Sequence, residues 1–483
     1  MSNQTEQDGI LAAAEEIKKQ QRKAQRQAVQ EQNRQALLPA AEDFLQQHPN
    51  LYYVAKSCMY AEWSNGLWHY MKPEALATKY ASLFTTKDFD KAFKVALEMQ
   101  GRSYYDCIHS FKPQSQLPDQ LNLLVRDNWL KPIQGEHHPV FDYVVQAMAG
   151  GKPENMEHLE RCIAFKVEHP ECVTLPAILI NGEGNLGKNL MVDTILDNVW
   201  DGATLAATAR NVVGDFNSLC AGKLCILVDE TSRKRVDHDE LKHRLHREKF
   251  EVNTKGVPQY ETYNLAWYII ASNKRGGGIW LDRSRADRRY SVFHVDAGLD
   301  LFHWIATGQG WMDDHGKPDT IRADLWMEKK GMDICRDKHE VAKWIGYLCN
   351  KYAGQTKPRA LHGQDYQRLL GIQAPVEEDF LPAVFTDPEF THIERNVLYE
   401  GYKLLCKEDN REPMTSRPFY EIVRTYLRTN SSTISPQEVQ KRQGSTHGWV
   451  WIRKGCEHRA SENSESKYIE QSGYSRKWVG PRG

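Results

Sequence analysis

The sequence has no Cys-x-x-Cys pair, no apolar run of membrane-spanning length and almost no net charge, and each lack removes a class of protein. Ten cysteines are scattered over 483 residues, and no two of them form a Cys-x-x-Cys pair beside histidine ligands. That pattern excludes a zinc ribbon and a disulfide framework, and it fits reduced thiols in a cytoplasmic compartment. The first residues, Met1-Ser-Asn-Gln-Thr-Glu-Gln-Asp, lack the basic-then-apolar order of a signal peptide. No membrane partner is expected. Lys and Arg number 63 against 64 Asp and Glu, a net charge of -1, so any surface for a polyanion must be local rather than a property of the whole chain.

What is present is enough apolar residue for several cores. At ~150 residues per domain the length predicts about three. Residues 1–45 are rich in Ala, Gln, Glu, Lys and Arg, which favours a polar helical arm. Its basic section (Lys18, Lys19, Arg22, Lys23, Arg26) reads either as a solvated face or as an arm that touches DNA or another subunit. Residues 46–135 turn aromatic, with short strands predicted near 51–70 and a helix near 87–99, an α+β accessory domain whose rings serve a core or stack on bases. Over 136–170, apolar residues recur every three or four positions on both sides of Gly150-Gly151, which predicts two amphipathic helices forming a collar.

The organising stretch is 171–300. An apolar run, Ile178-Leu-Ile, breaks into Gly182-Glu183-Gly184-Asn185-Leu186-Gly187-Lys188-Asn189. Glycines allow backbone amides close to phosphates, and Lys188 neutralises the terminal oxygens. Position 189 is commonly a hydroxyl residue that binds Mg²⁺. Here an amide stands there, and its oxygen can also meet a hard cation. Forty-one residues beyond Lys188, four apolar residues end in Asp229-Glu230. There Asp229 would hold the Mg²⁺ shell, and Glu230 would orient or deprotonate an attacking water. A third buried run ends at Asn273, read as a γ-phosphate sensor or as a turn cap. Between the second and third runs, alternation around Lys255-Gly256 predicts a hairpin whose tip is merely solvated or grips a phosphate backbone. In Asp282-Arg283-Ser-Arg285-Ala-Asp287-Arg288-Arg289, the cations form surface ion pairs, or Arg288 serves a neighbouring subunit as an arginine finger.

Beyond the core, 301–370 reads as a helical subdomain and the proline-rich 371–392 as a linker. In 393–455, a helix from Ile393 to Cys406, a second helix capped by Ser416, and strands Glu438 to Gln443 and Trp449 to Arg453 follow the order of a winged helix. Its Arg417, Arg424, Arg428, Lys441 and Arg442 suit phosphate contact. Residues 456–483 have the composition of a disordered tail.

In this order the motifs resemble those of the superfamily III helicases of DNA viruses, phages and plasmids, a compact AAA+ group, and most of all the helicase part of phage and plasmid primase-helicases. The resemblance covers 138–295 and, more loosely, 393–455. It implies an α/β P-loop NTPase core that uses ATP and Mg²⁺, with Lys188, Glu230, Asn273 and Arg288 catalytic and Lys255-Gly256 on DNA. It also implies a homo-oligomer, a hexameric ring, moving 3′-to-5′ on single-stranded and forked DNA in the host cytoplasm. No paired carboxylates on a strand occur in 1–130, so priming would come from a separate primase or polymerase. Two rivals share these residues: an origin-binding ATPase that melts DNA or loads another helicase, and a non-catalytic DNA-binding scaffold.

Overall fold

The computed structural model describes residues 2–65, 67–80, 87–182, 184–229, 235–254, 257–272, 279, 281, 286–373, 375–386, 392–408, 413–430, 436–443 and 446–453. Two compact units divide the chain, Met1–Tyr366 and Gln367–Gly483.

The first unit opens with α1 (Ser2–Gln47), which continues through Pro39. Its polar middle is exposed, but Ala41, Phe44 and Leu45 are buried near its end. These residues share a small core with the sheet β1 (Leu51–Val54), β2 (Met59–Ser64), β3 (Leu67–Met71) and with α2 (Pro73–Lys79) and α3 (Lys87–Met99). Phe44 meets Phe93 edge-on, with centroids 5.4 Å apart, and both are core with Tyr60, whereas Tyr52, Trp63 and Trp68 are half-buried. The sheet is completed by β4 (Ser103–Tyr104) in the order β3-β2-β1-β4, and β5 (Asp106–Ile108) pairs with β6 (Gln120–Asn122).

Two helices follow, α4 (Val140–Ala149) and α5 (Pro153–Glu168). The turn between them needs glycine. Gly150 and Gly151 have φ of +65° and +68°, and a Cβ on Gly151 would lie 2.3 Å from the Trp304 ring. The pair is not a separate collar, because Phe141, Val144 and Ile163 belong to the same apolar core as the following sheet.

That sheet contains β7 (Ala177–Asn181), β8 (Thr204–Thr208), β9 (Cys225–Asp229), β12 (Trp267–Ser272) and β13 (Tyr290–His294). It is wholly parallel, in the order β13-β7-β12-β9-β8. Its near-continuous apolar strands are what a sheet covered on both faces requires. After β7 the chain forms α6 (Lys188–Leu190), a π-helical segment (Met191–Leu196) and α7 (Asp197–Trp200), continuous in chain. Next come α8 (Ala209–Val213) and α9 (Arg235–His246), and β10 (Lys249–Thr254) and β11 (Val257–Tyr263) pair antiparallel as the expected hairpin. Then α10 (Leu301–Gln309), α11 (Thr320–Trp326), α12 (Met332–Arg336) and α13 (Lys338–Lys351) form the helical region predicted for 301–370, and the boundary between the units falls in α14 (Gln364–Ile372).

The second unit departs from the sequence reading in four places. The expected linker 371–392 contains α15 (Val376–Thr386), whose Phe380, Leu381 and Phe385 are core residues. Ile393 is not helical but lies in β14 (His392–Glu394), paired with Trp451, and α16 (Arg395–Glu408) starts after it. Thr415, not Ser416, occupies the cap position of α17 (Ser416–Thr429). With β15 (Pro436–Gln443) and β16 (Thr446–Arg453) the unit forms an antiparallel sheet in the order β14-β16-β15. Arg424 is not free for phosphate. Its Nε and Nη2 donate to Glu438 at 3.0 and 3.3 Å, whereas Arg417 and Arg428 are exposed. The expected tail lies outside the described residues.

Candidate nucleotide site

Three neighbouring strands of the parallel sheet end together. Ser272 of β12 stands opposite Asn181 of β7, and Ile270 opposite Val228, one residue before Asp229 of β9. Crevices beyond the carboxyl ends of parallel strands are where open α/β sheets bind ligands. The glycine-rich segment leaves β7 at this edge.

The loop's course is dictated by contacts only glycine permits. The Gly182 N–H donates to the Ser272 carbonyl at 3.2 Å, and a Cβ there would stand 2.8 Å from that of Val295. Gly184 and Gly187 have φ of +95° and +75°, the left-handed region costly for other residues. Leu186 is buried and pins the loop's underside. The Leu301 N–H donates to the Asn185 carbonyl at 2.9 Å, and Asp300 caps α10 by accepting from His303 N–H. The loop is therefore held from below, and Gly184 and Asn185 are exposed.

Lys188 is the first residue of α6, at the end of a helix where unpaired N–H groups and the dipole favour an anion. Burial holds its ammonium below the usual lysine range, and the Asp229 carboxylate partly opposes that shift. Lys188 and Asp229 thus sense one another across the strand ends. Asn189 is exposed on the first helical turn. These groups suit a polyphosphate: loop amides and Lys188 for its oxygens, with Asp229 and Asn189 as hard oxygen donors for a divalent cation. Glu183, Glu230, Asn273, Lys255 and Gly256 lie outside the described residues.

Arg288 lies elsewhere. It precedes β13, whose Tyr290 pairs with Ala177 at the start of β7, while the loop leaves from the other end of β7. Four strand steps separate the two ends, roughly 13 Å. Asp287 is buried and binds Arg289, through its N–H at 3.2 Å and Nη1 at 3.3 Å. Arg288 is exposed.

The structure adds a residue the sequence did not signal. Asn217 donates from Nδ2 to the Glu251 carbonyl at 3.0 Å, and its Oδ1 accepts from Asn253 N–H at 3.0 Å. It clamps β10 from outside, while on β11 the Thr262 hydroxyl accepts from His109 N–H at 2.8 Å. An Asn more than thirty residues from its partners leaves no periodic trace.

A family model described as a family of unknown function, DUF5906, matches residues 180–289, the stretch from the end of β7 to the turn before β13. Comparison with curated proteins returns no match. Among solved structures, the chain is similar to the A-form apo structure of the NrS-1 C-terminal region (305–718), with a TM-score of 0.50 and 15% identity over 83% of this chain and 96% of that one. An apo structure of the same region gives a TM-score of 0.50 and 14% identity, covering 83% and 95%. At such identity the likeness is one of fold.

Proposed function

We propose that the chain is an ATP-dependent DNA helicase with a P-loop NTPase core and a winged helix, acting as a ring in the replication of a phage or other mobile element. The observation that carries the reading is the pairing at the strand ends: a glycine-shaped loop runs into a helix whose first residue, Lys188, is desolvated within the field of Asp229. Desolvating a lysine costs free energy, and a bound polyphosphate would offset that cost.

In this reading, Lys188 and the loop amides hold the β and γ phosphates of ATP. Mg²⁺, held by Asp229 and Asn189, would screen phosphate charge. Glu230 accepts a proton from the attacking water, the bond to the γ-phosphorus forms as that to the bridging oxygen breaks, and ADP and phosphate leave. Asn273 orients the water. Arg288, at the wrong end of its own sheet, stabilises the charge in a neighbouring copy's site, which is why the reading requires an oligomer. The braced β10–β11 hairpin presents Lys255 and Gly256 to single-stranded DNA.

The test is strand displacement on a fork with a 3′ single-stranded tail in Mg-ATP, comparing wild type with Lys188→Ala. Unwinding by wild type alone is expected. Hydrolysis without unwinding would replace the helicase by a melting or loading ATPase, and absence of both would leave a DNA-binding scaffold.

A further inference from the structure

We propose that a basic cavity beside the entry of β13 is a second phosphate-binding site, separate from the glycine loop. It has a volume of about 320 Å³ and lies between α5 and the segment 356–361. That size is at the lower end for small-ligand pockets. Arg161, Lys357 and Arg359 line it, with His158, Pro358 and Leu361, and among the described residues no carboxylate does.

Charge and geometry both point to an anion. Arg161 is held by a reciprocal pair, its Nε donating to Gln355 Oε1 at 3.2 Å and Gln355 Nε2 donating back to its carbonyl at 3.1 Å. That clamp leaves the two terminal guanidinium nitrogens as a fork matched to phosphate oxygens. Lys357 donates to the Thr174 hydroxyl rather than to an acid. Arg359 is exposed, and among the described residues it makes no ion pair. Three cations around one cavity repel each other, although water partly screens Lys357 and Arg359, which are exposed; Arg161 is half-buried and Pro358 between them is buried. An anion relieves that repulsion.

His158 lines the cavity as a neutral ring tied to Ser291, not as a fourth charge. The Leu361 N–H donates to Ser291 Oγ at 2.9 Å, and the Ser291 hydroxyl lies 2.7 Å from His158 Nε2. The direction of that bond follows the ring's tautomer, since the hydroxyl oxygen can accept from Leu361 and still either donate to or accept from Nε2. Ser291 pairs with Ile178 near the start of β7, so the cavity and the glycine loop belong to opposite ends of the sheet. Phosphate could come from a small inorganic or nucleotide ligand, or from a single-stranded DNA backbone.

The experiment uses the full chain in a Lys188→Ala background, which silences the loop. Pyrophosphate binding is measured by calorimetry, and fluorescent oligo-dT binding by anisotropy at several salt concentrations. Arg161→Gln/Lys357→Gln/Arg359→Gln is compared with its parent, with circular dichroism as the fold control. Lys357→Gln/Arg359→Gln, confined to exposed positions, replaces it if the triple variant misfolds. A loss of tenfold or more in pyrophosphate affinity alone assigns a small phosphate ligand. A comparable loss for oligo-dT, with the salt slope of the triple variant shallower by about 2, assigns the backbone. Unchanged affinity for both ligands in a folded variant overturns the site.

Discussion

Two buried polar side chains carry more than their number would suggest. Lys166 is fully buried, and its ammonium donates to the carbonyls of Pro170 at 2.6 Å, Cys172 at 2.9 Å and Leu265 at 2.7 Å. Three protons meet three acceptors, tying α5 to the strand entries. Lys166→Met should strand all three carbonyls and cost about 3 kcal/mol or more, read as a lowered midpoint in chemical denaturation. His158 gives a pH signature. Burial, with Arg161 nearby, pushes its pKa down to about 4. The folded ring stays neutral where the unfolded chain, with an ordinary value near 6.5, takes a proton. Its contribution is therefore complete above about pH 6.5 and is lost as pH falls towards 4, up to about 3 kcal/mol. In phosphate-free buffer, His158→Gln should flatten the stability curve in that window by about one proton. An unchanged slope would show that another group sets it.

At the scale of elements, the glycine loop and the hairpin are shaped by what packs against them. Gly182→Ala would force a methyl against Val295. We expect it to weaken nucleotide affinity at least tenfold with little change in far-ultraviolet circular dichroism; normal affinity would mean that the loop yields more readily than its contacts imply. For the hairpin, Asn217→Ala removes the clamp on β10. Amide exchange over 249–254 should quicken, and stimulation of ATPase by DNA should fall several-fold while basal turnover holds. Loss of basal turnover as well would place the clamp's effect in the sheet. The second unit shows where local reading stops. Ile393 and Glu394 of β14 were legible only as the start of a helix, because strand pairing with β16, more than fifty residues later, decides the matter. Likewise Arg424 looked like a phosphate contact until Glu438 arrived beside it.

For the whole molecule, the separation of Arg288 from the loop is the fact with consequence. A chain that must borrow a finger should be inactive alone and rescued in mixtures. Arg288→Ala and Glu230→Gln should each hydrolyse little ATP. Mixed, they should recover a measurable part of wild-type turnover, since some interfaces then combine an intact Glu230 with an intact Arg288. Failure of every mixing ratio would count against action between copies.

The sequence by itself determined the three central parallel strands β7, β9 and β12, the glycine loop, the hairpin and the helices on both sides of Gly150-Gly151, whereas the edge strand β8, half exposed, left no apolar run to read. Their signals are local: apolar runs that can only be buried, glycines where a Cβ cannot fit, and periodicities of two and three to four residues. Tertiary structure alone decided which ends meet. Strand order brings Asp229 towards Lys188, parallel pairing of β13 with β7 leaves Arg288 at the opposite end of the sheet, and the fold sets Arg161 beside Lys357 and Arg359 across nearly two hundred residues. Charge interactions depend on distance in space, and sequence separation carries almost no information about that distance until the core has closed.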